Sequence, residues 1–423
     1  MNLSKYDVVV LGGGPAGSVA ARQSALSGLT TLLVEKAEFP RFHIGESLLP
    51  HMMAILEQLG LLEALRAEGH PVKRGAEFCD SSGRDFRVGF DLQGPGRHHS
   101  AVQVERARFD KLLFDSASAA GAEVVSPVES ADVELAEGDA DHRVTVRLPG
   151  GEQVGVAARV VIDATGRAGL IAKKLKLRHR VERLNNIALF RHFHGVDEAD
   201  NPGVRGDIQV GLHPDGWVWA IPISEDVLSI GTVMHRTTLG RGRSYQEVFD
   251  RFRVRVPRIT QRLGAATATG PVRMEVDFAY FAEHAAGNRW FLAGDAAAFV
   301  DPVFSGGVYL GIATGRQAAL EAARVLSGET PVAVAGARYD SFYKTGYDTY
   351  FRLVQSFYEH KFDFWAFMDT FGDIVDDEAA SLMLSGDLWR EENVFAKRLR
   401  TIDRLAVFPP FELYTGCPAY PGV

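Results

Sequence analysis

Two hydrophobic regimes alternate along the 423 residues of this chain. Short apolar runs of four to six residues mark buried strands, and apolar positions recurring every three or four residues mark helices. Val8 to Leu11 is such a run, of the kind buried in a parallel sheet. A glycine-rich turn follows, then a small-residue helix to Gly28, a second strand over 31–34, and Glu35 at its end. Pro40 and Pro50 bound a loop, after which Met52, Ile55, Leu56, Leu59 and Leu62 predict one helix, stopped at 69–71. Strand-like segments pass through Phe78, Phe86 and Phe90, and 93–99 reads as a loop. Phe109, Leu112, Leu113, Ala117 and Ala120 predict a helix over 107–120, followed by strands at 123–125, 144–148 and 160–162.

Across 185–272 the pattern becomes that of an antiparallel meander, with strands at 208–212, 217–221 and 227–233 between turn-rich separators. Residues 244–263 read as helix, 290–293 as a buried strand and 311–326 as an alanine-rich helix. From Tyr339 to Phe371 aromatic residues step by three, four or seven, which places them on one helical face. Such a face packs a core or walls an aromatic pocket.

Composition narrows the class. At 46% hydrophobic and 24% charged the chain is globular, and a net charge of −8 argues against a general nucleic-acid binder. The two cysteines, Cys79 and Cys417, form no CxxC pair, which suits a reducing cytoplasm and leaves no cysteine-rich metal site. The first apolar run is too short for a signal sequence or a membrane span. A cytoplasmic protein is therefore expected, with no metal, membrane or nucleic-acid partner.

The candidate chemistry begins in the glycine turn, Gly12-Gly13-Gly14-Pro15-Ala16-Gly17. Gly12 permits the tight turn, Gly14 admits a pyrophosphate, and Gly17 lets helix and strand approach. The helix N-terminus favours phosphate, and Glu35 accepts bonds from an adenosine ribose. A second segment, Gly294-Asp295, follows a buried strand and suits a ribityl hydroxyl; Arg106 lies in a third. As a set these segments resemble the FAD-binding motifs of class A flavoprotein monooxygenases, over roughly residues 5–330. The resemblance implies an α/β fold: a Rossmann-like FAD-binding domain (1–71, 100–184 and 273–332) interleaved with a β-sheet substrate domain (72–99 and 185–272), plus a helical C-terminal region (333–423). It also implies cofactor contacts from Lys36, Arg41, Ser47, Pro302, Gly307 and Val308.

Within that superfamily the chain resembles the flavin-dependent halogenases. Gly216-Trp217-Val218-Trp219-Ala220-Ile221-Pro222 matches their WxWxIP motif, and Val72-Lys73-Arg74-Gly75-Ala76 resembles the segment carrying their active-site lysine. Asp301-Pro302-Val303-Phe304-Ser305-Gly306-Gly307 matches the loop that places halide near Gly306 and Gly307. The resemblance implies that a flavin C4a-hydroperoxide oxidises halide, chloride by default, that Trp217 and Trp219 keep organic substrate from the flavin, and that Lys73 receives the hypohalous acid. Lys73 acts either by hydrogen bonding to it or, deprotonated, as a chloramine; both routes stay open. Ser305 and Phe304 belong to the same catalytic loop. Phe304 stands where tryptophan halogenases carry a glutamate. An electron-rich ring is thus expected, most like the pyrrole of the pyrrolyl-carrier-protein halogenases, with a phenol-directed halogenase or an aromatic hydroxylase as alternatives. A carrier protein would dock on basic residues, Lys173, Lys174, Arg178, Arg180 and Arg183, or Lys397, Arg398 and Arg400. The chain carries no second nucleotide fingerprint, so a separate flavin reductase is expected to supply reduced FAD.

Overall fold

The N-terminal apolar run is the middle of a sheet. In this computed structural model, which describes residues 4–421 apart from 199–200, 202, 241, 277–278 and 373–375, Ser4–Leu11 pairs in parallel with Thr31–Val34 on one side and Gln153–Asp163 on the other. Glu123–Val125 and Trp290–Leu292 extend the sheet in parallel on either side. The short strand Ala286–Gly287 and the hairpin Ser130–Glu134/His142–Arg147 complete it. The central strands are apolar on both faces because helices cover both. Pro15–Leu26 and Gly307–Leu326 pack so closely that a Cβ on Gly315 would lie 2.2 Å from the Ala16 carbonyl oxygen.

A second sheet runs in the order Thr267–Val276, Asn186–His194, Val227–His235, Gly216–Pro222, Ile208–His213, Gly75–Asp80 and Asp85–Gly89. Its neighbours are antiparallel except Ile208–His213 with Gly75–Asp80. Period-two alternation divides its residues. Val218, Ala220, Ile187 and Ile230 pack beneath the helices Tyr245–Arg253 and Pro257–Leu263. Trp217, Trp219, Val210 and Phe190 face the main core.

Several expectations need correction. The helix expected over 52–62 is two, Pro50–Gln58 and Leu62–Ala67, because Gly60 turns the chain at φ +69°. The helix expected over 244–263 is likewise broken, at Pro257, which starts a new helix but cannot continue the old one. Asn186–His194 is a strand where none is expected, and Thr267–Val276 runs through the domain boundary expected at 272/273. The alanine-rich helix begins at Gly307, not 311.

The aromatic tail is the largest difference. Val332–Glu359 is one long helix, and from Phe342 to Phe357 every residue is buried, not a single face. The chain folds back over its outer side through Asp377–Leu384 and Val394–Arg400. Polar groups on that side bond to the returning chain: Arg352 donates to the Ile402 carbonyl and Gln355 to that of Leu405, while the Trp389 indole donates to the Phe342 carbonyl. Among the described residues no helix is long and apolar enough to cross a membrane.

Candidate active site

One cleft of about 880 Å³ runs between the two sheets. Its first end is built by the glycine turn. Gly12 has φ +100°, and a Cβ on Gly17 would lie 1.8 Å from the Gly12 carbonyl oxygen, so the helix can start only if residue 17 lacks a side chain. Gly14, Pro15 and Ala16 line the cleft beside Lys36 and Arg41. Glu35 lines it too, and its carboxylate accepts the N–H groups of Gly13 (2.5 Å) and Ala37 (2.6 Å), tying the turn to the second strand. Arg106 is a strap. Its guanidinium donates to both oxygens of Asp110 (2.6 and 3.0 Å) and to the carbonyls of Ile44 and Gly45, which holds the 41–47 loop along the cleft wall.

At the other end Gly294 and Asp295 face Pro302, Ser305, Gly307 and Val308, with Ser47 on the loop. Among the described residues nothing donates a side-chain hydrogen bond to Asp295, and burial raises its carboxyl to about 6 against the pull of Arg106, Arg167 and Arg178. Among the described residues the buried Ser47 hydroxyl has no hydrogen-bond partner either. An unpartnered acceptor and an unpartnered hydroxyl opening on one cleft fit the ribityl and ring edges of a flavin. Ser305 turns the chain at φ +59°, and Gly307 heads a helix whose first N–H groups have no carbonyl four residues back.

Trp217 and Trp219 close this end, their ring centroids 5.8 Å apart. Gly231 makes room for the second, since a Cβ there would lie 2.1 Å from the Trp219 ring. The Trp217 indole donates to the Tyr358 hydroxyl at 2.9 Å, and that hydroxyl donates to Asp301 at 2.7 Å. Asp301 also accepts from Asn186 and from the Val303 N–H; burial nevertheless raises its carboxyl to about 6.

Four expected residues lie off the cleft wall: Gly17, Lys73, Phe304 and Gly306. Phe304 packs among Phe78, Phe357 and Phe367. The Gly306 N–H is taken by the Tyr350 hydroxyl at 2.9 Å, so of the two glycines expected to hold halide only Gly307 borders the cleft. Lys73 is 1% exposed. Its ammonium donates to the Leu48 carbonyl at 3.1 Å and lies 5.4 Å from the Phe90 ring centroid. Burial lowers its pKa from 10.5 to about 7, with Asp207 opposing.

Asp207 is a site residue that the sequence pattern does not reveal. It accepts the N–H groups of Arg74 (2.7 Å) and Gly75 (2.8 Å) and so fixes the segment that carries Lys73. Only the parallel pairing of Ile208–His213 with Gly75–Asp80 brings it there, and no local spacing reports that. Glu46, bonded to His192 at 2.7 Å, also lines the cleft unforeseen, although it sits in the 40–50 loop between the two prolines.

Of the basic run, Lys173, Arg178 and Arg180 border a second cavity of about 590 Å³ with Arg167 and Arg236; Arg167 also borders the main cleft. Lys174 turns away to Asp132 and the Val133 carbonyl. Arg400 is spent inside, on Thr349 and the Leu388 carbonyl, which reduces the second basic run.

This architecture defines an FAD-binding flavoprotein, and the FAD binding domain family matches residues 5–337. The chain is 34% identical over 366 residues to the tryptophan 2-halogenase of Chondromyces crocatus, covering 84% of this chain and 68% of that one. It is 30% identical over 437 residues to the 1H-pyrrole-2-carbonyl-(peptidyl-carrier protein) chlorinase of Pseudomonas fluorescens, covering 95% and 92%. Among solved structures, the myxobacterial chondrochloren halogenase superposes with a TM-score of 0.78 at 32% identity, over 84% and 83% of the two chains. The flavin-dependent brominase Bmp2 gives 0.81 at 28% identity, over 95% and 100%. The chain belongs to the flavin-dependent halogenases.

Proposed function

We propose that this enzyme chlorinates an electron-rich aromatic ring, a pyrrole-2-carbonyl group carried by a peptidyl carrier protein. The observation that carries the substrate assignment is the match to the chlorinase named for that substrate, which spans 95% of this chain and 92% of the relative. Phe304 packs against Phe78, Phe357 and Phe367, and an aromatic residue rather than a glutamate at this position favours a ring that needs no carboxylate to steady its cation.

In this reading the turn from Gly12 to Gly17 holds the pyrophosphate, Glu35 the adenosine ribose, and Asp295 accepts from the flavin's ribityl chain. Reduced FAD, supplied by a separate reductase, provides with dioxygen the two-electron oxidation of chloride to hypochlorous acid. Chloride lies at the helix head by Gly307, where N–H groups and the helix dipole favour an anion. Trp217 and Trp219 exclude the organic substrate from that end. Lys73 presents the electrophile: its ammonium hydrogen-bonds hypochlorous acid, the ring takes the chlorine, and the ring proton leaves with hydroxide as water. The basic cavity at Lys173, Arg178 and Arg180 suits an acidic carrier.

The test is mass spectrometry after incubation with a flavin reductase, FAD, chloride, and either pyrrolyl-loaded carrier protein or free phenols. A chlorine isotope pattern on the carrier-bound pyrrole is expected. Chlorinated phenol with untouched pyrrole overturns the substrate, and hydroxylated product without halide overturns the reaction.

A further inference from the structure

We propose that His51, Asp387 and Cys417 form a zinc site that pins the C-terminal tail to the enzyme, a departure from the absence of metal expected from sequence. One ligand atom from each lies within 4.8 Å of the others, and all three residues are buried. They come from three distant segments: the start of Pro50–Gln58, the turn after Asp377–Leu384, and the tail.

His51 Nδ1 faces the Ser385 carbonyl at 3.2 Å, and a carbonyl only accepts, so Nδ1 carries the proton and Nε2 presents a lone pair. Among the described residues Nε2 has no hydrogen-bond partner and lies 3.9 Å from Asp387 Oδ1, which also has none. Two buried acceptors thus face each other, with the Cys417 thiol within 4.8 Å of both.

Each ligand is oriented from behind, as metal ligands are. Ser385 holds the imidazole. Arg390 holds Asp387 through Oδ2, leaving Oδ1 free. The N–H groups of Tyr420 and Ala419 donate to the Cys417 sulfur. The Tyr309 hydroxyl, without a partner among the described residues and under the electrostatic influence of Cys417 and Asp387, can anchor a fourth ligand, a water. One imidazole, one carboxylate and one thiolate select zinc over magnesium or calcium, which take oxygen. Tetrahedral bonds of about 2.0–2.3 Å set nitrogen and oxygen about 3.3 Å apart and the sulfur about 3.5 Å from each, so from separations within 4.8 Å the pocket closes by at most about 1.3 Å around the ion. Binding displaces the Cys417 proton to solvent.

The test uses the FAD-loaded full chain, stripped with a chelator, incubated with zinc sulfate and gel-filtered. About one zinc per chain is expected, with an X-ray absorption spectrum showing one sulfur at about 2.3 Å among nitrogen and oxygen neighbours. Cys417→Ser should lower retained zinc about tenfold or more and abolish the rise in Tm on adding zinc, with FAD content unchanged. Unaltered protein that keeps less than about a tenth of an equivalent overturns the proposal, and a buried water then bridges the acceptors. Zinc bound without a sulfur neighbour, or retained equally by Cys417→Ser, overturns it as well. The absorption measurement needs no variant, so it decides the matter even if Cys417→Ser misfolds.

Discussion

Replacing Lys73 by methionine should stabilise the protein while abolishing chlorination. The side chain is 1% exposed, and burial lowers its pKa from 10.5 to about 7. At about 1.4 kcal/mol per factor of ten, holding the charged form inside costs about 5 kcal/mol. The folded-state pKa lies below the unfolded one. Below about pH 7 both states are charged and the full cost is present; between about 7 and 10.5 the unfolded chain binds the extra proton, so stability rises with pH. The cost is about 4 kcal/mol at pH 7 and about 2 kcal/mol at pH 9. Methionine of similar length removes it but forfeits the bond to the Leu48 carbonyl and the contact with Phe90, together about 2 kcal/mol. A net gain of about 2 kcal/mol is expected at pH 7, gone by about pH 9. Urea unfolding of the FAD-loaded protein at both pH values reads this, beside the chlorination assay. A variant equally or less stable at both, or stabilised equally at both, refutes the burial argument; retained chlorinated product refutes the catalytic role.

Other perturbations follow from the same contacts. Tyr358→Phe strands the Trp217 N–H and removes one donor from Asp301; a loss of about 1–3 kcal/mol in urea unfolding is expected, and unchanged stability would show that the network carries no energy. Gly17→Ala drives a methyl into the Gly12 carbonyl, and since about 1.4 kcal/mol is already tenfold in affinity, FAD binding followed by flavin fluorescence should weaken at least about tenfold. Lys173→Glu with Arg180→Glu should raise the KM for carrier-bound substrate several-fold at low salt and much less at high salt, with halogenation of a free ring unchanged; equal effects on both substrates would place the carrier elsewhere.

The cofactor half was legible because its geometry is local. Gly12, Gly17 and Glu35 lie within one strand–helix–strand unit, and the two hydrogen bonds that Glu35 accepts in it come from residues 22 and 2 positions away. The strand ladder through Trp217 was legible for the same reason: short turns link antiparallel neighbours, and period two sends both tryptophans to one face. Errors arose where a single residue outweighed a good pattern, as Gly60 and Pro257 did in helices of sound amphipathicity. Asn186–His194 and Thr267–Val276 were missed because their pairing partners lie far along the chain.

The halogenation half depends on contacts that no spacing encodes. Asp207 steadies the Lys73 segment from 133 residues away, and Tyr358 reaches the Trp217 indole across 141. The tail helix posed a choice between core filler and pocket wall, and its hydrogen bonds point to a third role. Tyr350 occupies the Gly306 N–H and Tyr358 holds both Trp217 and Asp301, so the polar tips of two core aromatics set the loop and the strand between which the proposed halide chemistry falls. The FAD-binding-domain match ends at residue 337, before either tyrosine. A rigid loop is what an oxidant directed at a small anion requires, since an oxidising equivalent that does not meet the anion is lost as hydrogen peroxide. The FAD domain alone therefore lacks what orders this loop, and the aromatic density of the tail is better explained by that duty than by packing alone.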